Sequence, residues 1–103
     1  MQIITTITME AVDRDYLQYL YFEHTSYKEV LSYILLEKMK GYEFSKDNYE
    51  HFMNEFKEAK MKYDMVVLEF VDKYAPEFYG NSNYLVDYNF EDCEMIIYKR
   101  EEE

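Results

Sequence analysis

From residue 49 onward, apolar side chains recur at alternating three- and four-residue steps: Tyr49, Phe52, Phe56, Ala59, Tyr63, Val66 and Phe70. This spacing winds one continuous apolar stripe along a helix of about 27 residues, and such a stripe has to be covered. A second run, Leu17, Leu20, His24, Tyr27, Leu31 and Ile34, flanked by Tyr16, Val30 and Leu35, predicts an earlier helix. It begins near residue 11 and runs to about Lys40, where Gly41 is placed to end it. Ser26 and Glu29 have the spacing of a capping box, which would break this helix at Thr25 and Ser26. The stripe keeps its phase across that point, so one helix is predicted. Residues 42–46 form the connection, with Ser45 or Asp47 available to cap the second helix. Pro76, which lacks an amide hydrogen and restricts the residue before it, ends that helix near Ala75. Two long helices on a short link lie antiparallel.

The ends of the chain change period. Ile3, Thr5, Ile7 and Met9 alternate with Ile4, Thr6 and Thr8, a β-branched pattern that predicts a strand over residues 2–9. After the turn region Gly80, Asn81, Ser82 and Asn83, a second alternation runs through Tyr84, Val86, Tyr88 and Phe90. A third follows in Cys93, Met95 and Ile97, interleaved with Glu94, Ile96 and Tyr98, and Glu91 and Asp92 form the tip of the hairpin between them. The predicted fold is therefore α+β in the order β-α-α-β-β. A long antiparallel helical hairpin packs with a small three-stranded sheet made by the N-terminal strand and the C-terminal β-hairpin, as a single domain over residues 1–103.

A helical wheel adds a second demand. Phe22, Tyr33 and Leu36 fall opposite the main stripe of the first helix, and Met61, Met65 and Leu68 fall well away from that of the second. With the hairpin folded about residue 43, Phe22 is level with Met61 and Met65. Two covers suit these secondary stripes: the small sheet, or a second copy of the chain.

Composition narrows the function classes. The chain has 103 residues, 49% of them apolar, with 13 Tyr and 7 Phe, which argues for a folded core. Twenty-two acids against eleven bases give a net charge of -11, which disfavours nucleic acid and anionic lipid and favours basic partners. Acids gather toward the C-terminal end, where Glu91, Asp92, Glu94, Glu101, Glu102 and Glu103 form a candidate acidic surface. A single cysteine excludes an internal disulfide and suits a reducing compartment, and no signal peptide or membrane segment is read, so a cytoplasmic location is expected.

Catalytic patterns are weak. His24 and His51, the only two histidines, lie about 16 Å apart along the hairpin and cannot share a metal within one chain. Asp47, His51 and Glu55 occupy one helix face at four-residue steps, a spacing that ordinary helix pairing explains as well as metal ligation does. Glu58 with Lys62 and Glu69 with Lys73 have the spacing of supporting ion pairs. Cys93 stands between Asp92 and Glu94, which disfavour its thiolate, and is expected as an ordinary residue at the start of the last strand. Gly41 and Gly80 are too far apart to build a phosphate loop, and Lys57, Lys60 and Lys62 are interleaved with Glu55, Glu58 and Asp64. No catalytic residue, cofactor site or metal site is assigned. His24 interrupts an apolar seam, and a neutral imidazole bonded to a facing tyrosine or acid is expected there. Its protonation below about pH 6 would charge the seam and weaken the packing.

The tyrosines are more informative. Tyr16, Tyr27, Tyr49 and Tyr63 take core-facing positions, whereas Tyr19, Tyr21, Tyr33, Tyr42, Tyr79, Tyr84, Tyr88 and Tyr98 are too many to bury in a domain of this size. The expected function is a non-enzymatic protein-interaction module that self-associates. Its candidate contact residues are Phe22, Tyr33, Leu36, Met61, Met65, Leu68, Tyr84 and Tyr88. Two alternatives are an acidic inhibitor that mimics nucleic-acid charge against a basic protein, and a ligand-binding protein or enzyme with a pocket between helices and sheet.

Overall fold

A computed structural model describes residues 2–41 and 46–101. The capping candidate Ser45, most of the predicted connection, Tyr42, Glu102 and Glu103 lie outside the described residues, as does the side chain of Asp47. The elements follow the predicted order: β1 (Gln2–Thr8), α1 (Ala11–Met39), α2 (Lys46–Tyr74), a short 3-10 turn (Pro76–Phe78), β2 (Tyr84–Asn89) and β3 (Glu94–Lys99). The fold is α+β, as expected.

α1 is unbroken. The hydroxyl of Thr25 donates to the Tyr21 carbonyl at 2.8 Å and that of Ser26 to Phe22 at 2.7 Å, so both are spent on their own helix instead of capping a new one. Gly41 closes the helix with φ +93°, a left-handed conformation that glycine adopts without a side-chain penalty, and its amide donates to Lys38 at 3.0 Å.

The sheet is antiparallel, in the order β1-β3-β2. Val86 and Tyr88 stand opposite Ile97 and Met95, and β1 sets Thr5 and Ile7 against the same two residues. A register shift between Ile3 and Thr5 leaves Ile4 as a bulge. The β2–β3 turn occupies Phe90 to Cys93, one residue longer on each side than the expected tip. Cys93 is therefore a turn residue with φ +58° and not the first residue of the strand. Two bonds to Met9 hold it there: the Met9 amide donates to the Cys93 carbonyl at 2.8 Å, and the thiol donates to the Met9 carbonyl at 3.2 Å.

The chain divides into two compact units. In the first, Met1–Gln18 with Met65–Glu103, the sheet is covered by the opening turns of α1 and the closing turns of α2. Its buried side chains are Met9, Leu17, Val66, Phe70, Val71, Ala75, Met95 and Ile97. Arg14 ties α1 to the hairpin by donating to the Phe90 carbonyl at 2.9 Å. The start of α1 is clasped to the end of α2. Asp13 accepts from Lys73 Nζ at 2.6 Å and from the Tyr74 hydroxyl at 2.5 Å, and that hydroxyl also accepts from the Glu10 amide at 2.9 Å. Lys73 thus reaches Asp13 and Glu10 on another element, where an ion pair with Glu69 one turn away was expected. The acid sits at a helix N-terminus and the lysine at a helix C-terminus, where each helix dipole favours it.

The clasp gives a test. Hydrogen bonds from Lys73 and Tyr74 hold the Asp13 carboxyl below its ordinary pKa of 3.8. Burial, and then the bond to Asp13, raise Tyr74 above 10.0. A lowered carboxyl pKa stabilises the fold at neutral pH, and that contribution is lost as pH falls from about 4 through the folded-state value. A raised phenol contributes below its unfolded pKa and is lost as pH climbs through the folded one. Tyr74→Phe removes the bonds to Asp13 and Glu10, with an expected cost of about 1–2 kcal/mol at pH 7. Urea unfolding at pH 7 and pH 3 measures both, and the gap between wild type and variant narrows at pH 3.

In the second unit, Tyr19–Asp64, the two helices form the antiparallel hairpin. His24 and Tyr63 rings lie 4.6 Å apart, Tyr21 and Tyr63 rings 6.0 Å, and Lys38 Nζ sits 5.6 Å from the Tyr49 ring. These pairs mirror about residue 43, as the stripes implied. Leu20, Ile34, Ala59 and His24 are buried along this seam.

Candidate interaction surface

The predicted core stripes point inward. Tyr49, Phe52, Phe56 and Tyr63 are half-buried and Ala59, Val66 and Phe70 buried, matched on α1 by Leu17, Leu20, His24 and Ile34. Tyr27, Tyr49 and Tyr63 lie half-buried as expected, but Tyr16 is 44% exposed, and its flanking companions Val30 and Leu35 are exposed as well. The covered arc of α1 is therefore narrower than the sequence suggested.

The secondary stripes are open. Phe22, Tyr33 and Leu36 on α1, and Met61, Met65 and Leu68 on α2, are all half or more exposed, from 50% at Leu36 to 61% at Met61. Within the sheet unit, the strands leave Met65 and Leu68 uncovered. Within the hairpin unit, Phe22 stacks edge-on against Tyr21 at 5.8 Å and borders a shallow groove with Thr25, Lys28, Glu29 and Ser32. Within the sheet unit, Met65, Leu68 and Tyr79 line a second shallow depression with Glu69 and Asp72 at its side. Tyr84 and Tyr88, the two strand candidates, are half-buried. Tyr84 packs edge-on against Phe78 at 4.8 Å, and the Tyr88 hydroxyl donates to the Val67 carbonyl at 3.5 Å, so both serve the sheet unit's own packing.

A cavity of about 220 Å³ opens beside them, lined chiefly by Leu68, Val71, Phe78, Tyr84, Val86 and Ile97, with Asn81 and Ser82 at its polar side. The spacing of apolar residues gave no sign of it, because the 3-10 turn after Pro76 and the following loop form one wall.

His24 is buried, and its Nδ1 donates to the Leu20 carbonyl one turn earlier at 3.1 Å. The hydrogen bond expected to a facing side chain is thus made to its own helix. Tyr63 and Tyr21 meet the imidazole by ring contact, Tyr21 at 5.5 Å and nearly perpendicular. Tyr27 has its phenol raised above 10.0, first by burial and then by the carboxylates of Glu55 and Glu23. His51 is exposed beside the Phe52 ring. Among the described residues, no three His, Cys, Asp or Glu side chains are gathered as metal ligands, and no helix is long and apolar enough to cross a membrane.

The candidate acidic residues separate into two places. Glu91 and Asp92 are exposed on the hairpin turn, where Asn89 donates to Asp92 at 2.8 Å, and half-buried Glu94 opens β3 beside them. Glu101 lies past the other end of that strand, roughly 20 Å away at the strand rise. Glu102 and Glu103 are outside the described residues.

Comparison with protein-family models, with curated proteins and with solved structures finds no match to this chain.

Proposed function

We propose that this chain is a protein-interaction module that self-associates through its apolar helix faces and strand edges. The observation that carries this reading is the exposure of Phe22, Tyr33, Leu36, Met61, Met65 and Leu68. The sequence demanded a cover for these residues, the sheet does not supply one, and a second copy is the cover that remains. Aromatic and methionine side chains suit such contacts, since they offer large area and adapt to a partner's shape. Scattered exposed apolar residues are ordinary on soluble proteins, but here they recur at helical spacing on two helices.

The negative charge shapes this association without driving it. Copies carrying -11 repel one another at long range, so salt screens the repulsion and tightens an apolar contact. Binding to a basic partner through carboxylates has the opposite salt dependence. The separation of Glu91 and Asp92 from Glu101 supports the apolar reading over the charge-mimic one.

Sedimentation velocity across the micromolar range is the test. The expected species has twice the 12.7 kDa chain mass, with a population that grows with concentration and with salt. A chain that sediments as a monomer throughout, at low and at high salt, contradicts the proposal.

A further inference from the structure

We infer that the outer edge of β1 pairs antiparallel with β1 of a second copy, joining two three-stranded sheets into one of six strands. The proposal presupposes the self-association set out above and names a seam for it.

The backbone directions follow from two bonds. Met9 N–H donates to the Cys93 carbonyl at 2.8 Å, so Met9 faces β3. Alternation along an antiparallel strand then turns Ile7 and Thr5 toward β3, and the amides and carbonyls of Thr6 and Thr8 away from it. On the opposite edge, Arg100 N–H donates to the Asn83 carbonyl at 2.8 Å, so Tyr84, Val86 and Tyr88 face outward there.

The two edges are treated differently. On β2 the Tyr84 amide is taken by the Asn81 carbonyl at 3.3 Å and the Tyr88 amide by the Asp87 carboxylate at 2.8 Å, which leaves Val86 alone between two occupied donors. A carboxylate folded over an edge is a common guard against strand addition. Among the described residues β1 has no such guard. Thr6 and Thr8 are exposed, and among the described residues no strand lies beyond β1 in the sheet.

Charge selects the occupant. β1 is the one element among the described residues that contains no charged side chain, in a chain of net charge -11. Two copies can therefore meet along this strand without opposing carboxylates, whereas β2, the opposite edge of the sheet, carries Asp87. Its β-branched sequence, QIITTIT, is also well suited to extended pairing. The Ile4 bulge confines regular pairing to the segment that follows it. A two-fold axis at Ile7, perpendicular to the sheet, pairs Thr6 of each copy with Thr8 of the other, so that four backbone hydrogen bonds form and threonine side chains adjoin across the seam. The same axis keeps the helix-bearing faces of both sheets on one side.

The test combines amide exchange of the intact chain with the mass of edge variants. In the wild-type chain the Thr6 and Thr8 amides are expected to exchange slowly at high concentration and at least tenfold faster on dilution, while the Ile7 amide is slow at both. Thr6→Pro removes an outward donor without touching a β1–β3 bond, and Thr8→Lys places like charges across the seam. Each is expected to weaken the dimer at least tenfold with circular dichroism unchanged. If Thr6→Pro alters the fold, Thr8→Lys and the wild-type exchange pattern still decide the matter. A dimer that persists in both variants, with Thr6 and Thr8 exchanging fast at every concentration, overturns the edge seam and leaves self-association standing. A wild-type chain that is monomeric throughout overturns both.

Discussion

Leu17→Ala costs this chain about 2–5 kcal/mol of folding stability, the range for emptying a well-packed leucine site. Leu17 is fully buried in the sheet unit, on the opening turns of α1 that cover the strands. Met95 and Ile97 on the central strand are buried with it, and β3 is hydrogen-bonded on both sides, so its backbone has little freedom to collapse into a void. The loss combines the transfer energy of the missing methyl groups with the cavity they leave. In a chain of 103 residues this is a large part of the total stability, so a pronounced fall in the urea midpoint is expected, with the slope retained. A loss below about 1 kcal/mol would place Leu17 outside the real core.

Phe22→Glu combined with Leu36→Glu should do the reverse, leaving folding intact and abolishing association. Phe22 is five residues beyond Leu17, turned about 140° around the same helix, and Leu36 shares its outer side. Both are at least half exposed, so the folded chain loses little by their replacement, within about 0.5 kcal/mol for each surface change. The contact surface loses its apolar anchors and gains two carboxylates against an already acidic copy. Self-association is expected to weaken at least 100-fold, about 2.7 kcal/mol. The matching glutamine pair separates the two causes, because it removes the apolar area without adding charge. If neither pair changes the sedimentation profile of an associating chain, the outer face of α1 is not part of the contact.

Much of this fold was legible because helix and strand periods differ, and both are written in side chains that repeat locally. The long stripe from Tyr49 to Phe70 established α2, and the phase kept through Thr25 and Ser26 established α1 as one helix. The mirror point near residue 43 was placed in the short connection between the two stripes, and the Tyr63 ring against His24 agrees with it. What spacing could not supply were partnerships between distant segments. Lys73 has an acid four residues earlier in Glu69, yet it is bonded to Asp13, sixty residues away in the chain. The signal for that clasp was an acid in the first turn of one helix with a lysine and a tyrosine in the last turn of the next.

Other features escaped for equally physical reasons. Cys93 looked like a strand residue because it continues the alternation with Met95 and Ile97, but two bonds to Met9 hold it in a left-handed turn. Strand order was invisible, since all three strands are β-rich and either hairpin strand could have taken the centre. The exposed stripe was legible as a list of residues, and its openness became evident only once the sheet was seen to leave it bare.

If another copy hides this outer surface, the ε-methyl groups of Met61 and Met65 report on it directly. With methionine methyls labelled in the wild-type chain and a soluble paramagnetic probe added, their relaxation is expected to be weak at high concentration and to rise several-fold on dilution. The buried Met95 methyl should stay shielded at both. Met61 and Met65 methyls that relax equally fast at every concentration would show that nothing covers these stripes, and self-association through them would be wrong.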